Sequence, residues 1–279
     1  MVDPKNPGAV DEILHLGDYW NEAKLRSSKE EILTANARVG RLFRIAYASL
    51  KEAGCIMEEW ESYISEAQDW AQVNQVTFSI QNELEAHCTP QFLKAPGTRH
   101  LFASAITPMG PFTHFPSILQ GVSKLYSVQG LPGSGKSTLI AKTVQWAQDR
   151  GLDTEVYHRP LTPERLDGVV IPALKTGVVN SGLPFSFSPQ DVAGLKDVVS
   201  LDLNSYLRQD LLQTYNTEIE DTATRLRAAF NRGSEYIGQA KAEHDRMETF
   251  YIPAMDFAAI NNKRDEILGR ILKYADENK

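Results

Sequence analysis

Cysteine is scarce in this sequence, which has two, Cys55 and Cys88, among 279 residues. Two thiols cannot build the disulfide framework of a small secreted domain, and neither lies in the spacing of a metal-binding motif. A basic N-terminal segment followed by an apolar one is also missing, so we expect no signal peptide. No apolar run approaches the roughly 18 residues that span a membrane. Together these absences predict a cytoplasmic protein without a membrane segment.

Runs of Lys and Arg are missing as well, and the formal net charge is −7. Recognition of nucleic acid depends on a basic surface, so we expect no nucleic-acid partner. The fractions of hydrophobic residues, 42%, and of charged residues, 23%, are those of an ordinary globular protein. A chain of this length can bury the core of one or two domains.

The spacing of apolar residues divides the chain into helical ends and a mixed middle. In the first region they recur at helical spacing, and Gly54 is predicted to break that helix. Strands are predicted at residues 101–105, 124–128, 154–158, 168–171, 176–180 and 198–201, with a helix at 137–150. A helical pattern resumes at residue 216, and Pro253 is predicted to end it. Strands that alternate with helices predict an α/β fold with a mostly parallel sheet flanked by helices.

The two helical regions are similar to each other at residues n and n + 187. Tyr19 corresponds to Tyr206, for example, and Phe43 corresponds to Phe230. A constant offset without gaps predicts an internal duplication. We therefore expect residues 1–95 to be the helical back end of a first, truncated half, and residues 96–279 to be a complete half. The apolar stripe of the first region needs a cover, which the second domain, a missing half, self-association or another protein could provide.

The segment GLPGSGKS, Gly130–Ser137, matches the pattern G-x-x-x-x-G-K-[ST] in full. A predicted strand precedes it and a predicted helix follows it, as this P-loop motif requires. Glycines let the backbone adopt positive φ and approach phosphate closely. The N–H groups of such a loop and the N-terminus of the following helix attract anions. The motif therefore predicts a nucleotide-binding site.

The motif also predicts individual roles. Lys136 is expected to contact the β- and γ-phosphates, Ser137 to bind Mg²⁺, and Thr138 to contact the α-phosphate. The predicted nucleotide-binding residues all lie in the loop or directly after it: Gly130, Pro132, Gly133, Ser134, Gly135, Lys136, Ser137 and Thr138. The expected cofactors are ATP and Mg²⁺.

Hydrolysis needs a second acidic residue for Mg²⁺, usually at the end of an apolar strand. Asp202 follows the apolar run VVSL, but it also precedes LNSYL, where it could cap a helix. Asp167 precedes GVVIP, where a turn into the strand is the alternative interpretation. Asn180 ends the strand TGVVN but carries no charge. These two aspartates are the candidate catalytic residues, and no residue stands out as a catalytic base.

Other polar residues near the predicted sheet edge have competing interpretations. Arg159 and Arg165 follow a predicted strand and could contact phosphate, although solvated surface charge is the favoured interpretation. His244 lies on the apolar stripe of the second helical region, at the position equivalent to Met57. It is therefore predicted to be a core histidine rather than a catalytic one.

Several segments resemble a bacterial family of uncharacterised proteins, assigned as ATPases, that are built from two P-loop halves in tandem. They are DPKNPGAVDEILHLGDYW, RHLFASAITPMGP, GLPGSGKSTL, EVYHRPLTPERLDGVVIP and HDRMETFYIPAMDF. The resemblance spans nearly the whole chain and implies ATP binding and hydrolysis, with no known substrate. The chain departs from the family pattern at Arg159 and Gly168, where Cys and His are expected. In the front half of such proteins the strand equivalent to 176–180 ends in Asp, whereas this chain has Asn180.

The sequence thus favours an ATPase with a single complete P-loop domain. A small-molecule kinase is one alternative, because many kinases begin with a similar loop. The other alternative is a switch module that binds nucleotide without hydrolysing it. Phosphate transfer to an acceptor, phosphate release to water, and tight binding without turnover distinguish the three.

Overall fold

The computed structural model describes residues 6, 8, 11–89 and 95–277. Long helices at both ends of the chain flank a region of strands. The helices are α1 (Glu22–Ser27), α2 (Lys29–Ala67), α3 (Trp70–Glu85), α4 (Phe115–Ile118), α5 (Lys136–Asp149), α6 (Gln209–Thr214), α7 (Asn216–Tyr251) and α8 (Phe257–Glu277). The strands are β1 (Thr98–Leu101), β2 (Ser104–Thr107), β3 (Gly110–Thr113), β4 (Lys124–Gln129), β5 (Thr154–His158), β6 (Leu166–Ile171), β7 (Thr176–Asn180) and β8 (Asp197–Asp202).

Six strands form one sheet in the order β1-β5-β6-β7-β4-β8. The pairs β1–β5, β4–β7 and β4–β8 are parallel, whereas β6 runs antiparallel to both of its neighbours. Strands β2 and β3 form a separate antiparallel pair. The prediction of an α/β fold with a mostly parallel sheet flanked by helices is therefore confirmed. One predicted strand was wrong, because residues 101–105 are divided between the end of β1 and the start of β2.

A buried apolar cluster surrounds α5 and fixes its position against the sheet. Its members come from α3, α5 and the central strands, and include Ile80, Leu84, Tyr126, Val128, Leu139, Ile140, Val144, Val169 and Val178. Burying an aliphatic or aromatic side chain of this size contributes about 1.5–3 kcal/mol. This packing holds the N-terminus of α5 directly after the carboxyl end of β4, where the glycine-rich loop lies.

Helix α2 continues through Gly54, so the predicted break was wrong. The helix buries Ala53, Ile56 and Trp60 around that position, against residues of α7. A glycine inside a helix costs about 1 kcal/mol relative to alanine, which several buried apolar side chains outweigh. The expected end of the second long helix is confirmed, since α7 ends at Tyr251 and a 3₁₀ helix, Ile252–Ala254, follows.

The described residues form two compact units, one of Met1–Arg41 with Gln239–Lys279 and one of Leu42–Gly238. The divisions fall inside α2 and α7, so contacts group the residues differently from the predicted boundary near residue 95. In the part of the chain that the structure describes, no helix combines the length and hydropathy of a segment that crosses a bilayer.

The secondary structure repeats at the offset of 187 residues. A 3₁₀ helix at Leu16–Tyr19 corresponds to one at Leu203–Tyr206, and α1 corresponds to α6 with the same length. Helices α2 and α7 begin at equivalent positions, and so do α3 and α8. The offset therefore relates folded elements as well as single residues.

Candidate phosphate-binding site

The glycine-rich loop, Gly130–Ser137, connects the carboxyl end of β4 to the N-terminus of α5. Gly133 and Gly135 adopt φ angles of 87° and 98°, in the left-handed region that favours glycine. Gly135 is also the N-cap of α5. The loop therefore presents its turn and the first N–H groups of the helix in the arrangement that binds anions.

Lys136 is the first residue of α5 and is 4% exposed. Its Nζ donates hydrogen bonds to the carbonyl oxygens of Gly130, at 2.5 Å, and Leu131, at 2.8 Å. Burial, and next the nearby charge of Arg159, lower the pKa of Lys136 to about 7. In the free loop the lysine is thus hydrogen-bonded to carbonyl oxygens, and the charges of Asp167, Glu61 and Asp202 only partly offset the effect of burial.

Other residues hold the loop from outside. The side-chain amide of Gln68 donates to the carbonyl oxygen of Ser134 at 2.6 Å, and the N–H of Leu131 donates to Asn204 Oδ1 at 2.8 Å. Ser137 Oγ accepts a hydrogen bond from the N–H of Leu166 at 2.8 Å. No local motif pointed to Gln68 or Asn204, because both act through contacts distant in sequence.

A cleft of about 260 Å³ opens beside the loop. It is lined by five predicted loop residues and by side chains of α2, α3 and the β5–β6 region: Gly133, Gly135, Lys136, Ser137, Thr138, Glu58, Glu61, Ser62, Ser65, Trp70, Arg159 and Arg165. The predicted residue Ser134 is buried in the loop itself. The cleft is therefore composite, with the first helical region as one of its walls, and the sequence motif alone did not predict that wall.

A buried group of charges lies next to the loop. Asp167 is 3% exposed, and its Oδ1 accepts from Asn180 Nδ2 at 3.1 Å and pairs with Arg159 Nε at 3.4 Å. Arg159 Nη1 also donates to Glu61 at 2.7 Å. Among the described residues, Asp167 Oδ2 has no hydrogen-bond partner. A buried carboxylate oxygen without a donor is costly, which suits it to a cation or a bound water.

The two arginines differ. Arg159 is 7% exposed, so the favoured interpretation of a solvated surface charge was wrong for it. Its guanidinium lies between Glu61 and Asp167, and these carboxylates make burial of the cation possible. Arg165 is about half exposed, and its Nη2 lies 3.5 Å from Glu61 Oε2.

Asp202 is exposed and does not line the cleft beside Lys136. Its Oδ1 accepts from the N–H of Asn204 at 3.0 Å, as the N-cap of the 3₁₀ helix Leu203–Tyr206. The capping interpretation is therefore the one that the contacts support. The negative charges of both predicted aspartates raise the pKa of Lys136, but Asp167 is the one that is buried and paired with Arg159.

His244 is exposed, so the predicted core histidine was wrong. Its Nδ1 lies 3.3 Å from Glu248 on the next turn of α7. His244, Asp245 and Glu248 could bring ligand atoms within 4.8 Å of one another. All three are exposed, and such groups are common on helices without a metal, so the cluster alone indicates no site.

A second cavity, of about 450 Å³, lies beside the first residues of the loop. Its lining is mostly apolar and includes Met57, Trp60, Gly130, Leu131, Pro132, Leu183, Leu226 and Phe230. The predicted residues Gly130 and Pro132 therefore contact this cavity rather than the polar cleft.

The fold and the site define an α/β protein with a glycine-rich loop at the N-terminus of a helix. The chain matches no known family model, no curated protein and no solved structure. The resemblance to a bacterial ATPase family thus stays a prediction.

Proposed function

We propose that this chain is a P-loop NTPase that binds Mg-ATP at Gly130–Ser137 and hydrolyses it slowly. The observation that carries the proposal is the complete motif between a parallel strand and α5, with a buried lysine at the first helical position. The N–H groups of the loop would bind the phosphates, and Lys136 would exchange its carbonyl partners for phosphate oxygens. Ser137 lines the cleft and would bind Mg²⁺ through its hydroxyl.

Asp167 is the residue that we propose for the acidic role in hydrolysis. Mg²⁺ in nucleotide sites is usually held by one or two carboxylates together with the phosphates. Asn180 ends β7, one of the two parallel strands next to β4, and it donates to Asp167 on the adjacent strand β6. The charge that Asn180 lacks is therefore supplied one strand away, by a carboxylate with an unpartnered oxygen.

The binding proposal is tested by calorimetry with Mg-ATP on the wild type and Lys136→Ala. Losing hydrogen bonds to a charged phosphate costs about 1.5–3 kcal/mol, so we expect affinity to fall about 10- to 100-fold. Lys142→Ala is the matched control, because Lys142 lies on the same helix, is exposed and contacts Asn74 instead. A wild-type chain that binds no Mg-ATP, or equal losses in both variants, would reject the proposal.

Nucleotide binding is also expected to take up protons at about pH 8. The pKa of Lys136 is about 7 in the free protein, and bound phosphates would raise it. A group whose pKa rises on binding makes affinity fall as pH increases between its two pKa values. Affinity should therefore decrease from about pH 7.5 to about pH 9, with uptake of up to about one proton per nucleotide.

Calorimetry in buffers of different ionisation enthalpy measures this proton uptake. Lys136→Arg is the control, because arginine stays charged at these pH values and should bind without uptake. Equal proton uptake by the wild type and this variant would show that a group other than Lys136 takes up the protons.

The apolar cavity beside Gly130 and Pro132 favours a small-molecule kinase as the second candidate. An acceptor with an apolar body could lie there, next to the start of the loop. An ATPase releases phosphate to water without an acceptor, whereas a kinase transfers it only when an acceptor is present. Phosphate release by the chain alone therefore distinguishes the two.

A further inference from the structure

In the unit Leu42–Gly238, the end of α2 pairs with the segment that follows β8. The N–H of Asp69 donates to the carbonyl of Tyr206 at 3.1 Å, and the N–H of Arg208 donates to that of Ala67 at 2.8 Å. Gln68 and Leu207 form an isolated antiparallel bridge between these two bonds. The helix end thus belongs to the first repeat copy, in residues 1–95, and the extended segment belongs to the second copy, in residues 96–279.

The other unit contains the same junction with the two copies exchanged. The N–H of Asp256 donates to the carbonyl of Tyr19 at 3.0 Å, and the N–H of Asn21 donates to that of Ala254 at 2.8 Å. Trp20 and Met255 form the isolated bridge. Every residue differs by 187 from its equivalent, and every contact joins one copy to the other. The two junctions therefore have the same backbone contacts, with the roles of the two copies exchanged.

The junction formed by residues 67–69 and 206–208 contacts the α/β region. Gln68 donates to the carbonyl of Ser134 in the glycine-rich loop, at 2.6 Å. Leu203 is fully buried, and its Cβ lies 3.4 Å from the point where a Cβ on Gly130 would be. Helix α3 buries one face in the cluster around α5, including Leu84 at 3% exposure. The first copy therefore covers the glycine-rich loop and helix α5.

The equivalent residues of the other unit are uncovered. Leu16, equivalent to the buried Leu203, is 49% exposed, and Ile271, equivalent to Leu84, is 56% exposed. Helix α8 has no buried residue, although Ile260 and Ile267 occupy the positions of two buried α3 residues. An apolar groove runs along this face. The face repeats three of the four buried positions of α3, while Arg264 takes the place of Thr77, and the element that α3 covers is absent from this face among the described residues.

The polar positions agree with this interpretation. Glu248, on α7, is equivalent to Glu61, which lines the cleft and lies against Gly133. Phe257 begins α8 where Trp70 begins α3, so both positions carry an aromatic ring. Asp256 caps α8 through the N–H of Ala259, at 3.0 Å, in the way that Asp69 caps α3. The uncovered surface thus repeats most of the apolar face and, at Glu248 and Phe257, part of the cleft wall.

We propose that the unit Met1–Arg41 with Gln239–Lys279 binds a second α/β unit built like residues 98–202, which packs its own loop-bearing helix on α8. Glu248 then lines a second phosphate site, as Glu61 lines the first. The docking rests on the repeat, and only the phosphate role of the second site rests on the proposed function. A second copy of this chain fits less well, because its α/β unit is already covered by its own α3.

A tandem chain tests the docking directly. Residues 95–200 are fused ahead of Leu14, the equivalent of Leu201, so that the added segment enters the repeat in register. Hydrogen exchange of α8 amides is compared in the original and tandem chains, and Mg-ATP stoichiometry is measured on the same samples. We expect exchange along α8 to slow about tenfold or more, and two nucleotides to bind instead of one.

The control is the tandem chain with Ile267→Asp and Ile271→Asp, two changes on the open face that should restore fast exchange. The same pair in the original chain should lower its thermal stability only slightly, because Ile271 is exposed and Ile267 is half-buried. Protection of α8 without nucleotide binding in either chain would support docking and reject the proposed function. Unchanged exchange, or an added segment that stays unfolded, would overturn the docking. Concentration-dependent protection in the original chain would assign the face to a second copy and also overturn it.

Discussion

Asp167→Asn is expected to reduce phosphate release about 10²–10³-fold, the size of effect seen when one electrostatic contact to the reacting group is lost. Asparagine keeps the shape of the side chain and its oxygen for Asn180 Nδ2, but it removes the negative charge beside the cleft. Binding of ATP without Mg²⁺ should change little, because the loop and Lys136 remain. Single-turnover assays with and without Mg²⁺ measure the two effects separately.

Asp202→Asn is the matched control for this prediction, since it removes the same charge at an exposed capping residue. We expect its rate to stay near that of the wild type. Thermal unfolding checks that Asp167→Asn is folded, because Arg159 loses one of two carboxylate partners and keeps Glu61. A slow Asp202→Asn with a normal Asp167→Asn would reverse the assignment. A wild type that binds Mg-ATP and releases no phosphate would favour the switch alternative instead.

Local signals in the sequence were sufficient for the centre of the fold. Strands β5 and β7 have the predicted bounds, 154–158 and 176–180, because short stretches with buried residues are bounded there by loop residues. The loop motif could be assigned to a strand–loop–helix connection for the same reason. These features depend on neighbours in sequence, which the pattern records.

Features that depend on distant partners could not be predicted. Arg159 is buried because it pairs with Glu61, which is 98 residues away in sequence. Gly54 stays helical because α7 covers its neighbours on α2. His244 and Met57 occupy equivalent positions on the apolar stripes of α7 and α2. Met57 is nevertheless buried, whereas His244 is exposed. Periodicity identifies a face that is able to pack, but only the tertiary partner decides whether it does.

The candidate site also combines features that could be predicted from the sequence with features that depend on distant partners. The motif predicted the residues that would contact phosphate, while its cleft wall comes from the first helical region, through Glu61, Ser65 and Trp70. Glu61 connects the two parts, since it pairs with Arg159, which in turn pairs with Asp167. Any change that moves α2 should therefore act on the site as well as on stability.

Gly133→Ala is expected to destabilise the protein and to weaken nucleotide binding together. A Cβ at this position would lie 2.4 Å from the backbone oxygen of Glu61, which cannot rotate away as a side chain would. The φ of 87° adds strain for any residue other than glycine. Left-handed strain costs about 1–3 kcal/mol, and overpacking adds about 1–3 kcal/mol.

Gly194→Ala separates these two contributions. Gly194 has a φ of 85°, nearly the value at Gly133, but a Cβ there would meet nothing within 4 Å. Both variants carry the backbone strain, and only Gly133→Ala forces α2 away from the loop. In urea unfolding we expect the Gly133 variant to lose about 1–3 kcal/mol more than the Gly194 variant. Because Glu61 and the loop share the cleft, that variant alone should also bind Mg-ATP more weakly. Equal stability losses with equal affinities would mean that α2 does not press on the loop in solution, and the composite cleft would then be wrong.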